Sequence, residues 1–179
     1  ALYVGRLDEG KGAQELLTVW EKVVHACPGA CLEIVGDGSL RRGVAEAASR
    51  PALAIRTRLH GFLDDLAMTR LKNRSRLFIT LSRTEGFGLA LGEALAAGLP
   101  AVAWDLPPLR EIWGACPAVF LCAQGDIDGA SKAAVGVLEA PPEQWRRLSH
   151  EASSYVRQFS WKDVASRELQ VLADMAGVQ

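Results

Sequence analysis

Apolar residues along this chain follow two alternating rhythms. Short, nearly uninterrupted runs (Leu2-Tyr3-Val4, then 31–35, 77–81, 101–104 and 119–121) alternate with longer stretches in which apolar positions recur every three or four residues. The short runs predict strands covered on both faces, and the longer stretches predict amphipathic helices. The first helix presents Leu16, Leu17, Trp20, Val23 and Val24 on one face and stops at Pro28-Gly29. A second is expected over 40–49, opened by Gly36-Asp37-Gly38-Ser39. A weaker strand over 55–59 leads into His60-Gly61-Phe62, and Asp64-Asp65 supply an N-cap and early acids for a helix through Lys72. Further helices are expected over 89–97, 126–139, 143–157 and 161–176, with Pro141-Pro142 as a break. Six strands separated by helices predict an α/β fold with a doubly wound, parallel, six-stranded Rossmann-like sheet. No linker or repeat interrupts it, so residues 1–179 read as a single domain with C-terminal helices over 143–176.

Composition narrows the reading. With 179 residues, 49% of them hydrophobic, the chain can bury a sizeable core. A formal net charge of −1 argues against broad nucleic-acid binding, which needs an excess of Lys and Arg. No apolar run approaches the roughly 18–20 residues of a membrane span. Cys27, Cys31, Cys116 and Cys122 show no CxxC pairing and read as apolar thiols, although Cys27, Cys31 and His25 form a conceivable metal cluster. No metal is expected. The chain opens directly in a strand, without an initiator Met, and so reads as a piece of a longer protein.

In doubly wound sheets, ligands bind at the carboxyl ends of the strands. There the sequence places Ser82-Arg83-Thr84-Glu85-Gly86-Phe87-Gly88-Leu89-Ala90-Leu91-Gly92-Glu93, a strand-loop-helix transition suited to phosphate. Two carboxylates beside a phosphate-friendly loop suggest a ligand carrying both phosphate and hydroxyls, such as a sugar nucleotide. Taken singly, Glu85 reads equally as an acid complementing a helix dipole, and Glu93 as a helix surface residue. Those readings leave the small neighbours Gly86, Gly88, Ala90 and Gly92 unexplained; the expectation is that they let a ligand approach the backbone. Arg6 and Lys11 follow the first strand and could together neutralise a diphosphate, or equally be solvated loop charges. Gly36-x-Gly38 lacks the third glycine of a dinucleotide fingerprint and reads as a tight turn.

The ordered set Val4-Gly5-Arg6-Leu7…Lys11-Gly12, Ile34-Val35-Gly36-Asp37-Gly38, Ser82-x-x-Glu85-Gly86-Phe87-Gly88-Leu89, Glu93-Ala94-Leu95-Ala96-Ala97-Gly98-Leu99-Pro100 and Phe159-Ser160-Trp161 is centred on E-x7-E. It resembles the C-terminal, donor-binding half of a GT-B glycosyltransferase of the retaining, family-4-like class (group 1 glycosyltransferases), over nearly the whole chain. The resemblance implies a donor diphosphate held by Arg6, Lys11 and the backbone at Gly88 and Leu89, and a donor sugar held by Glu85, Gly86, Phe87 and Gly88. It implies a ribose bound by Glu93 and a nucleobase received near His60, Gly61 and Phe62. The resemblance implies that Glu85 is the catalytic residue of this set, positioning the sugar rather than acting as nucleophile. The implied activity is metal-independent, cofactor-free transfer of a hexose-type sugar from a UDP-, GDP- or ADP-sugar to an acceptor hydroxyl, with retention at the anomeric carbon. The implied partners are the donor and an N-terminal acceptor domain. The setting would be cytoplasmic, with room for peripheral membrane association of a full-length enzyme. The chain departs from the family pattern at Leu106-Pro107-Pro108-Leu109-Arg110, before Glu111, and at Cys116-Pro117-Ala118. A nucleotide-sugar epimerase half and a non-catalytic nucleotide-binding module of the same fold remain as alternatives.

Overall fold

The computed structural model describes residues 1–159; the helix expected over 161–176 lies outside them. Six strands form one sheet: β1 (Leu2–Val4), β2 (Leu32–Val35), β3 (Thr57–Gly61), β4 (Phe78–Thr80), β5 (Ala101–Trp104) and β6 (Val119–Cys122). Their order is β3-β2-β1-β4-β5-β6, and every pairing is parallel. Parallel neighbours require crossovers, which the helices supply. These are α1 (Ala13–Ala26), α2 (Arg41–Ala48), α3 (Asp65–Arg74), α4 (Leu89–Ala96), α5 (Pro107–Trp113), α6 (Ile127–Leu138) and α7 (Pro142–Val156). On the sheet flanks, α1 packs beside α6 and α4 beside α7. Helices on the sheet explain the unbroken apolar strands: Leu2, Ile34, Phe78, Ile79 and Val102 are all fully buried. Asp64 and Asp126 cap α3 and α6 by accepting from the backbone N–H of Ala67 and Gly129.

Two segments differ from the sequence expectation. The third strand begins at Thr57 rather than at residue 55 and runs through His60 and Gly61. Ile55 lies in a turn with its side chain 75% exposed, while Leu53 is the residue that enters the core. The apolar residue at 55 therefore mimicked a strand start that pairing with β2 does not support, since Leu32 pairs with Thr57. The second difference is α5, which was not anticipated because two prolines usually signal a break. Here they occupy the first helical turn, where a missing N–H costs nothing and a fixed φ fits the helix.

The strand order reverses its direction of growth between β1 and β4. From β1 the chain proceeds toward β2 and β3; from β4 it proceeds toward β5 and β6. The loops leaving β1 and β4 therefore diverge and open a crevice at the carboxyl edge of the sheet, the position at which doubly wound folds bind ligands.

Candidate functional site

The crevice holds a cavity of about 290 Å³ bounded by Tyr3, Lys11, Ser82, Glu85 and the backbone that begins α4. Lys11 arrives on the loop after β1 and Glu85 on the loop after β4, so residues 74 apart in sequence become neighbours across the switch point. The Lys11 ammonium lies 2.5 Å from Glu85 Oε1, and both side chains are mostly buried (25% and 18% exposed). The buried Ser82 hydroxyl donates to the same carboxylate oxygen at 3.0 Å. A single turn of 3-10 helix, Glu9–Lys11, fixes the approach of Lys11, with the Asp8 carboxylate accepting from the Lys11 N–H.

Beneath this loop, the Tyr3 hydroxyl lies 2.8 Å from the Arg6 carbonyl and 3.3 Å from that of Lys11. One phenol thus braces both ends of the segment that carries both cations. Burial, followed by the nearby carboxylates of Asp8 and Glu85, holds the Tyr3 phenol above its ordinary pKa, so it stays a neutral donor.

The opposite wall is α4. Its N-cap, Gly88, sits at φ 80° in the left-handed region, and no side chain among the described residues caps the helix. The first N–H groups of α4 are left facing the cavity with the positive end of the helix dipole, an arrangement that attracts anions. Two of the small residues here have a packing cause that sequence reasoning did not include. A Cβ at Gly88 would stand 2.7 Å from Leu109 Cδ2, and one at Gly92 would stand 2.9 Å from Trp113 Cη2. Gly88 and Gly92 are small because α5 packs against them; among the four small residues Gly86 faces open space. Trp113 is the contributor that sequence reasoning missed. Its indole N–H donates to the Phe87 carbonyl at 2.7 Å, and its ring meets Phe87 edge-on with centroids 5.3 Å apart. The Glu85–Gly88 loop is thereby clamped from below. The Phe87 ring is drawn toward Trp113, while its backbone stays at the cavity.

The remaining candidates lie around this centre rather than in it. Arg6 is 75% exposed, does not line the Lys11–Glu85 cavity, and pairs with Asp8 at 3.3 Å. It borders a second depression of about 290 Å³, shared with Gly36, Phe62, Leu63 and Met68 at the ends of β1, β2 and β3. Phe62 stands 82% exposed on that rim. Gly61 ends β3, and its carbonyl accepts from the Gly36 N–H at 2.8 Å. Gly36 itself has φ 129°, and a Cβ there would fall 1.9 Å from the Gly5 carbonyl oxygen. The Gly36-x-Gly38 segment is therefore a point of loop-on-loop contact with the segment after β1, a close approach that its reading as a tight strand-to-helix turn did not include.

His60 points elsewhere. Its imidazole lies 2.6 Å from Glu33, which Arg58 also engages at 3.0 Å, so the ring is tied to the β2–β3 edge. Burial acts to raise the Glu33 pKa, but the hydrogen bonds from His60 and Arg58 outweigh it and hold the carboxyl below its ordinary range. Glu93 is not part of the Lys11–Glu85 cavity either. It lies one helical turn beyond Leu89, bordering an apolar groove with Phe87, Leu89, Gly92, Trp113 and Phe159. Its carboxylate is paired with Lys72 of α3 at 3.0 Å. Among the described residues no group of three or more His, Cys, Asp or Glu is placed to hold a metal ion, and no helix is long and apolar enough to cross a membrane.

A six-stranded parallel sheet of this order, with a cation, an acid and an uncapped helix start at its switch point, is a Rossmann-like fold, of the type that forms one half of GT-B enzymes. The family model described as "Glycosyl transferases group 1" matches residues 1–157, and the chain belongs to that family. Glycogen synthase of Mycobacterium tuberculosis H37Rv is 31% identical over 170 residues, covering 95% of this chain and 41% of the relative. Phosphatidyl-myo-inositol mannosyltransferase of Mycolicibacterium smegmatis is 31% identical over 179 residues, covering 98% of this chain and 45% of that relative. The chain thus spans less than half the length of these curated relatives. Among solved structures, Staphylococcus aureus TarM bound to fondaparinux, alpha-GlcNAc-glycerol and UDP superposes with TM-score 0.86 at 19% identity, over 94% of this chain and 34% of TarM. Anabaena HepE bound to UDP and glucose superposes with TM-score 0.80 at 19% identity, over 97% and 47% of the two chains.

Proposed function

We propose that these 179 residues form the donor-binding half of a retaining glycosyltransferase, which moves a hexose-type sugar from a nucleoside-diphosphate sugar to an acceptor hydroxyl. One observation carries the reading: Lys11 and Glu85 meet at the switch point in front of the free start of α4. A diphosphate placed there finds a mostly buried ammonium and unpaired backbone N–H groups, with Arg6 on the adjoining depression. These are the groups needed to stabilise negative charge as it grows on a departing nucleoside diphosphate. The Glu85 carboxylate accepts only, so once the diphosphate takes Lys11 it is available to the hydroxyls of a sugar beyond the β-phosphate. Two relatives named above, a synthase of glycogen and a mannosyltransferase, fit donors of hexose type. UDP in the TarM and HepE complexes supports a nucleotide in the crevice of this fold.

In the mechanism that follows from this reading, the acceptor hydroxyl approaches from the face the nucleotide leaves. Its proton passes to the departing phosphate oxygen as the glycosidic bond forms. Glu85 holds the sugar, while Lys11, Arg6 and the α4 amides hold the leaving group. The acceptor and its groups belong to chain outside these residues. In the longer protein carrying this domain, Glu85→Gln is expected to abolish sugar transfer while nucleoside-diphosphate affinity stays nearly unchanged. Transfer rates are measured by released nucleotide and affinity by calorimetry. Unaltered turnover in that variant would remove Glu85 from the reaction.

A further inference from the structure

We infer that Lys72 is a positioning residue for ribose recognition: its ammonium on α3 fixes the Glu93 carboxylate on α4 so that the second carboxylate oxygen is aimed at the ribose hydroxyls. This rests on the donor-site reading above and adds to it a residue from an element with no other assigned role. The Lys72 side chain is 17% exposed, whereas Glu93 is 64% exposed, and Nζ lies 3.0 Å from Oε2. The lysine is thus the held partner and the glutamate the one reaching outward. The Glu93 carboxylate has no other hydrogen-bond partner among the described residues, and Oε1 retains its full accepting capacity. An exposed glutamate left to itself samples several rotamers, and ordering it on binding costs affinity. A charge-assisted bond to a nearly buried ammonium removes part of that cost beforehand.

The placement of α3 gives the pair its significance. No residue of α3 is fully buried. The helix follows directly on Phe62 and Leu63, which with Met68 of α3 itself border the depression beside Arg6. The Lys72–Glu93 bridge therefore links the element carrying the expected base-binding rim to the element carrying the expected ribose acid. The alternative role is an ordinary helix–helix ion pair, which would contribute to stability and nothing else.

Ribose discrimination separates the two roles. The chain is titrated by calorimetry with UDP, GDP and ADP, and then with the 2′-deoxy counterpart of whichever binds. A hydrogen bond to a charged group corresponds to about tenfold or more in affinity, so the ribonucleotide is expected to bind about tenfold tighter than its deoxy form. Lys72→Met is expected to reduce that ratio to about threefold or less, and Lys72→Arg to restore most of it, because the guanidinium keeps a donor at the carboxylate. Glu93→Ala, which removes the acceptor altogether, is the internal reference and should abolish the preference. Should Lys72→Met lower the unfolding temperature yet leave the ratio at the wild-type value, the bridge is structural and the inference is overturned. If Glu93→Ala also leaves the ratio unchanged, the ribose role of Glu93, and with it the inference, is overturned; if none of the three nucleotides binds, the donor-site reading itself is what fails.

Discussion

Lys11 and Glu85 place opposite demands on the same few ångströms. Without nucleotide the ammonium satisfies the carboxylate, and a diphosphate must compete for it. Half-exposed ion pairs contribute little, but this one is mostly buried and reinforced by Ser82, so the competitor must bring more than one charge. A diphosphate does, and it also reaches the N–H groups at the start of α4. Lys11→Met is therefore expected to weaken nucleoside-diphosphate binding by about tenfold to a hundredfold, the range for a lost charge-assisted bond, while the parent nucleoside binds as before. Calorimetry with the diphosphate and nucleoside pair checks this; equal loss for both ligands would mean the lysine supports the loop rather than the phosphate. Single residues were legible in sequence to the extent that chemistry restricts them. An ammonium and a carboxylate at successive strand ends could be read directly. The turn of Glu93 toward Lys72 and of His60 toward Glu33 could not, because both depend on which partners the sheet brings alongside.

Strands and long helices were readable because apolar periodicity is a local property. The element that escaped, α5, is short and begins with two prolines, yet it accounts for the glycines at 88 and 92, which its Leu109 and Trp113 pack against. Its Trp113 lies under the loop with its N–H committed to the Phe87 carbonyl, so the ring cannot swing away. Gly92→Ala tests this packing. Alanine is the better helix former by about 1 kcal/mol. Its methyl would nevertheless stand 2.9 Å from Trp113 Cη2, and overpacking a fixed ring costs about 1–3 kcal/mol. The steric effect is expected to win, giving a net loss of stability in urea unfolding. Combined with Trp113→Phe, which removes the clashing ring edge, the alanine should become neutral or stabilising, a non-additivity that neighbours in contact produce. Stabilisation by Gly92→Ala alone would return the small residues to the expected ligand-access explanation.

At the scale of the molecule, the groups assigned to the donor all come from one edge of the sheet. The first loop supplies the cations, the fourth supplies the sugar acid, and α4 supplies the dipole, while the ends of β2 and β3 close the far side. On the donor-site reading proposed above, this edge would hold the leaving group and leave the opposite face of the sugar to other groups. Stabilising the departing diphosphate is one side of the transition state; an oriented acceptor is the other, and proximity alone can account for about 7–11 kcal/mol of a transfer barrier. The curated relatives extend over more than twice the length matched here, which leaves ample chain for that second role. The 179 residues by themselves are thus expected to bind a nucleoside diphosphate and to gain stability from it, about 2.7 kcal/mol at a hundredfold excess over Kd, while transferring no sugar. Thermal unfolding with and without nucleotide measures the first expectation, and nucleotide release from UDP-, GDP- and ADP-sugars measures the second. Supplying the acceptor-binding half that the proposed reading calls for should then convert the same binding into turnover, with Lys11 and Glu85 unchanged in place. Sugar transfer by the isolated residues would show instead that the acceptor site lies on this edge of the sheet.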